Sequence, residues 1–114
     1  MNSEHLARTY YRKVNAKDID GLLALFTDDA VFTLPDGRRV EGTPAIRAMY
    51  ERVFEAGGPQ PQPVTFIAAI HGVAVEVEVH LADGSMRQMA SFFQLSSDDK
   101  FVSVGVYTRT EGRG

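Results

Sequence analysis

The stretch DIDGLLALFTDDAVFTLPDGRRVEGTPAIRAMYERVF, Asp18–Phe54, decides the fold. Ile19, Leu22, Leu23 and Phe26 recur at helical spacing and predict one apolar helix face, with Asp18 as the N-cap. Phe26-Thr27-Asp28-Asp29-Ala30 breaks that period and reads as the turn that ends the helix. Val31–Leu34 then suits a short strand. Pro35-Asp36-Gly37 predicts a tight turn, because proline presets φ, aspartate bonds its own backbone and glycine accepts positive φ. A returning strand around Arg39–Glu41 leads to Thr43 as N-cap and Pro44 as the first residue of another helix. Ile46, Met49, Tyr50, Val53 and Phe54 form its apolar stripe, and Gly57-Gly58 closes it after Ala56.

Upstream, Ser3 is placed to cap a first helix running to about Asn15, with Leu6, Ala7, Tyr10, Tyr11 and Val14 on one face. Downstream, Pro59-Gln60-Pro61-Gln62-Pro63 is expected to be an extended connector, since proline neither continues a helix nor donates to a sheet. The texture then changes to strand. Val64–Ile70 is a continuous run dominated by apolar residues, and Val73–Leu81 alternates valines against Glu76, Glu78 and His80. Ala82-Asp83-Gly84 turns the chain into Ser85–Leu95, and a polar turn leads to Phe101–Thr108. Helices first and long hairpin-linked strands after predict an α+β domain spanning residues 1–114, with 110–114 as a flexible tail.

Composition narrows the function classes. A net charge of −3 offers no basic field for nucleic acid, and the absence of cysteine removes disulfides and thiolate chemistry. No apolar run approaches the ~18 residues of a membrane span. Met1-Asn2-Ser3-Glu4-His5 lacks the pattern of a signal peptide, so a cytoplasmic protein is expected. Glu76, Glu78 and His80 share a strand face, but no second cluster completes a metal shell, and His5 and His71 stand alone in sequence. The sequence calls for no metal and no cofactor. Phosphate-loop, dinucleotide and nucleophile-elbow motifs are missing.

The element order from Leu6 to Thr108 and the small motifs quoted above resemble the nuclear transport factor 2-like superfamily, in particular its SnoaL-like and ketosteroid-isomerase-like branch. That resemblance implies a cone: three N-terminal helices packed on a strongly curved antiparallel sheet, with a pocket for a small, mostly apolar molecule at the open end. It implies that the sheet face toward the helices carries Val79 from one strand, Met89, Ser91 and Phe93 from the next, and Val102, Val104 and Val106 from the last. Phe101 and Tyr107 would then point outward. Val14, Phe26, Met49 and Tyr50 would complete the walls.

Isomerase-like members use a first-helix tyrosine and a strand acid as an oxyanion hole, with an aspartate as general base. By the resemblance the tyrosine falls on Tyr10, the base on Leu34 and the second acid on Ser91. Leucine takes no proton, and a serine hydroxyl is a poor substitute for a neutral acid facing an enolate. Asp36, two residues beyond Leu34, is the remaining candidate base near the pocket mouth. Two expectations follow. One is a pocket protein that binds or transforms a polyketide, steroid-like or aromatic metabolite, by isomerase, cyclase or hydrolase chemistry if catalytic. The other is a non-catalytic dimerisation or protein-interaction module. In either case a homodimer is expected through the outer sheet face, which would carry Met86, Ala90, Phe92, Phe101 and Tyr107.

Overall fold

The computed structural model describes residues 3–110, with the elements α1 (Ser3–Ala16), α2 (Ile19–Leu23), β1 (Phe26–Thr33), β2 (Arg39–Glu41), α3 (Thr43–Glu55), β3 (Gln60–Ala69), β4 (Gly72–His80), β5 (Met86–Leu95) and β6 (Phe101–Thr108). The strands form one curved sheet in the order β2-β1-β6-β5-β4-β3, with α1 packed on β3 and β4 and α3 on β1 and β2. This is an α+β architecture. Of the tail expected at 110–114, all but Thr110 lies outside the described residues. No helix among the described residues is long and apolar enough to cross a membrane.

The helical stripe of α1 is buried as its spacing predicts, through Leu6, Ala7, Tyr10, Tyr11 and Val14. Ser3 is itself buried, and its hydroxyl donates to the Ala69 carbonyl at 2.7 Å, tying α1 to β3. At the other end the Asn15 amide donates to the Pro61 carbonyl at 2.9 Å. Lys17, at φ 56°, reverses the chain, and Asp18 caps α2 by accepting from the Gly21 N–H at 2.9 Å.

Local period gives way to strand pairing at the end of α2. The helix stops at Leu23, and Phe26 opens β1 instead of closing the helix. The Leu25 carbonyl accepts from the Phe101 N–H at 2.8 Å, so pairing with β6 captures the chain there. Asp28 and Asp29, expected in a turn, lie within β1. Five residue steps from Phe26 to Val31 oppose two from Phe101 to Ser103, and this bulge carries both aspartates to solvent while Ala30 and Phe32 stay inside. β1 runs parallel to β6, the one departure from antiparallel pairing among the described strands.

Two more details differ from expectation. Gly42, not Thr43, is the N-cap of α3. It sits at φ 87°, donates to the Ala30 carbonyl at 2.8 Å and accepts from the Ile46 N–H at 3.0 Å, a conformation that favours glycine. The Pro-Gln segment is not a connector: from Gln60 onward it forms the first half of β3, with Pro61 opposite Val79 and Pro63 opposite Val77. β3 is an edge strand, where a missing donor is tolerated.

Alternation in β4 buries Val73, Val75, Val77 and Val79, and β5 turns Ser91, Phe93 and Leu95 inward. Phe101 does not point out as expected but is fully buried. Leu95 pairs with Phe101 and Gln94 with Ser103, which leaves Val102 as an extra residue and shifts the phase, so Phe101 and Val104 both enter the core. Phe101 packs on Phe93 and Phe26, with ring centroids 4.9 and 5.5 Å apart.

Candidate functional site

Between the helices and the inner sheet face lies a cavity of about 380 Å³. Helix α1 contributes Tyr10, Tyr11 and Val14, and α3 contributes Met49, Tyr50 and Val53. Phe32, Leu34 and Pro35 close one side, and Val77, Val79, Met89, Ser91, Val106 and Thr108 form the sheet wall. Pro59, Pro61, Leu81 and Arg87 complete the lining, with Arg87 exposed to solvent at the edge. No carboxylate lines the cavity.

Of the residues singled out in the sequence, Tyr10, Val14, Leu34, Met49, Tyr50, Val79, Met89, Ser91 and Val106 come together here. Phe26, Phe93 and Val104 do not line the cavity. They belong to the packed core, where Phe93 and Phe26 hold the Tyr10 ring edge-on at 5.2 and 6.4 Å. Asp36 also lies outside the lining. Its carboxylate accepts from the Arg38 N–H at 2.9 Å and from Arg38 Nε at 2.8 Å, in a solvated turn. Those bonds, the backbone one first, hold its pKa below the usual carboxylate value, which makes it a weaker base.

Sequence reasoning missed Tyr11 and Arg87 as lining residues. The signals were present: Tyr11 is on the buried stripe of α1, and Arg87 shares its strand face with Met89 and Ser91.

Three tyrosines set the polarity of the cavity. The Tyr10 and Tyr50 hydroxyls hydrogen-bond to each other, which uses one proton of the pair and leaves the other to be offered elsewhere. Tyr11, 4 % exposed, has a buried hydroxyl with no hydrogen-bond partner, the single such side-chain atom among the described residues. Burial is the largest cause that raises all three phenol pKa values, and Tyr10, pushed well above its ordinary value, also feels Tyr50. The Ser91 hydroxyl beside Tyr11 offsets a little of that rise without meeting hydrogen-bond geometry. At neutral pH these phenols are donors that keep their protons.

Elsewhere, no three His, Asp or Glu side chains converge as a metal site among the described residues. A second groove of about 350 Å³ runs over the outer sheet face past Val64, Glu76, Glu78, Gln88, Ala90 and Tyr107.

A family model described as a SnoaL-like domain matches residues 7–104. The chain belongs to the SnoaL-like family. No curated protein matches it in sequence. Among solved structures, the epoxide hydrolase/cyclase-like enzyme SalBIII, described in pyran ring formation in the polyether salinomycin, superposes with a TM-score of 0.83 at 23% identity. That match covers 95% of this chain and 91% of the enzyme. A provisionally named ketosteroid isomerase from Kribbella flavida gives 0.88 at 20% identity, covering 98% and 81%. A SnoaL-like protein of unknown function from Burkholderia thailandensis gives 0.81 at 18%, covering 95% and 94%. At these identities the likeness is one of fold.

Proposed function

We propose that this SnoaL-like protein binds, and if catalytic transforms, a small apolar or weakly polar molecule in the cavity, without the ketosteroid-isomerase base. One observation carries the reading: an apolar-walled cavity whose polar groups are hydroxyls, apart from Arg87 at the solvent edge, and which no carboxylate lines. The proton left over in the Tyr10–Tyr50 pair is the natural donor to a ligand oxygen. Leu34, which the family resemblance sets at the base position, lines the cavity and offers only packing. Isomerase chemistry needs both a proton acceptor and an oxyanion donor. This site has the donor alone, so steroid double-bond isomerisation is expected to be negligible. The related polyether cyclase-like fold makes an oxygen-bearing polyketide or aromatic compound a reasonable substrate class.

Native mass spectrometry of the purified chain, followed by titration with a steroid ketone, tests the reading. Replacing Tyr10 and Tyr50 together by Phe keeps the rings and deletes the free proton, so affinity should fall by roughly 0.5–1.5 kcal/mol. Unchanged affinity in the double variant would assign both tyrosines to the core alone. Robust isomerase turnover by the wild type would refute the missing base.

The outer sheet face favours a second reading, a homodimerisation module. Phe92 and Tyr107 are 51% and 61% exposed and stack edge-to-face at 5.5 Å, and Met86 is exposed further along the same face of β5. Such a patch suits a symmetric interface with a second copy. Phe101 takes no part in it, being buried.

A further inference from the structure

The cavity reading leaves two features without a use. Arg87 is the one charged side chain in the lining, opposite Val79 of β4 on the inner face of β5. It makes no ion pair among the described residues. The nearby acid, Asp83, feels the Arg87 charge without pairing with it, and already accepts from the Ser85 N–H at 2.9 Å and the Ser85 hydroxyl at 2.6 Å. Four residues along the same strand face stands Ser91, 5% exposed and in the lining, with the unpartnered Tyr11 hydroxyl beside it.

We propose that the cavity takes an elongated apolar acid, its carboxylate on Arg87 at the edge and a hydroxyl or carbonyl oxygen on Ser91 inside, with Tyr11 supporting the serine. This rests on the cavity reading and adds the ligand's two polar ends. A guanidinium presents parallel donors that match a carboxylate. A buried donor without a partner is costly, and an acceptor placed on Ser91 relieves that cost. Ser91 then donates to the ligand oxygen and accepts from Tyr11, so each hydroxyl is used once. Four residues of strand separate the two anchors by about 13 Å between Cα atoms, and apolar wall fills the interval.

Calorimetric titration of the whole chain with ω-hydroxydecanoate, its methyl ester and plain decanoate tests the proposal. Wild type is expected to bind ω-hydroxydecanoate about tenfold or more tighter than the ester, and Arg87→Gln to remove that preference while leaving the ester unchanged. Ser91→Ala is expected to weaken ω-hydroxydecanoate about threefold to tenfold and leave decanoate alone. Tyr11→Phe is expected to weaken it in the same selective way, and to add nothing once Ser91 is alanine. In the ligand-free protein Tyr11→Phe should leave the melting temperature unchanged or higher, because it deletes a donor with nothing to bond. Equal affinity for acid and ester, a preference that survives Arg87→Gln, or a Ser91→Ala loss shared by both acids overturns the proposal. So does a clear drop in melting temperature for Tyr11→Phe. If the ester and both acids all fail to bind, the cavity reading itself falls.

Discussion

Raising the pH is the most direct perturbation of the tyrosine cluster. Tyr10, Tyr11 and Tyr50 are buried, and burial raises each phenol's pKa above the ordinary value near 10. In the unfolded chain the same phenols ionise normally. The folded state therefore holds more protons than the unfolded state above about pH 10, and stability must fall as pH rises through that window toward the folded pKa values. Below the unfolded value the contribution is fully present and independent of pH. At about pH 11 each tyrosine in the unfolded chain gains about 1.4 kcal/mol from ionising, so three lower the folding free energy by about 4 kcal/mol. Against a typical total of about 5–15 kcal/mol, that is enough to bring unfolding within reach by about pH 12. The assay follows tyrosinate absorbance and circular dichroism together. Three of the four tyrosines should ionise in one step with the loss of secondary structure, and Tyr11→Phe should reduce the pH slope by about a third. Smooth ionisation of all four tyrosines with the fold intact would refute the reasoning.

Other outcomes follow from the same structure. Leu34→Asp places a carboxylate against the cavity's apolar wall, so its pKa should rise; urea unfolding should show a loss of about 1–3 kcal/mol at neutral pH, relieved as the acid is protonated. Gly42→Ala meets only ordinary contacts, the Asp28 carbonyl at 3.7 Å and Pro44 Cδ at 3.8 Å, but is forced to φ 87°, and should cost about 1–3 kcal/mol in the same measurement. Phe92→Asp should dissociate a dimer in sedimentation equilibrium; a wild type that is monomeric at tens of micromolar would contradict the outer-face interface.

Where a pattern was local and uninterrupted, the sequence was easy to read. The α1 stripe, the β4 valines and the Pro35-Asp36-Gly37 turn needed only spacing and backbone preference. Phe26 was misleading because it completes a helical period and also fills a core position on a strand. Pairing with β6, distant in sequence, decided between them. Phe101 was hidden by a single extra residue, Val102, which inverts the alternation on one side of it. The cavity was legible where tyrosine and strand faces converge. The partnering of its hydroxyls depends on side-chain angles, and no spacing rule reports that Tyr10 and Tyr50 satisfy each other while Tyr11 is left over.

The prolines of β3 bear on how this molecule avoids sticking to itself. An edge strand invites a neighbour to continue its ladder. Over the first half of β3, Pro61 and Pro63 withhold the N–H groups that such a visitor would need. The second half has no proline: Ile67 is 71% exposed and Ile70, just past its end, is 86% exposed, with the Ala69 carbonyl between them held by Ser3. The opposite edge, β2, is three residues long and carries Arg39 and Glu41. A lysine at position 67 would extend the protection to where the prolines stop.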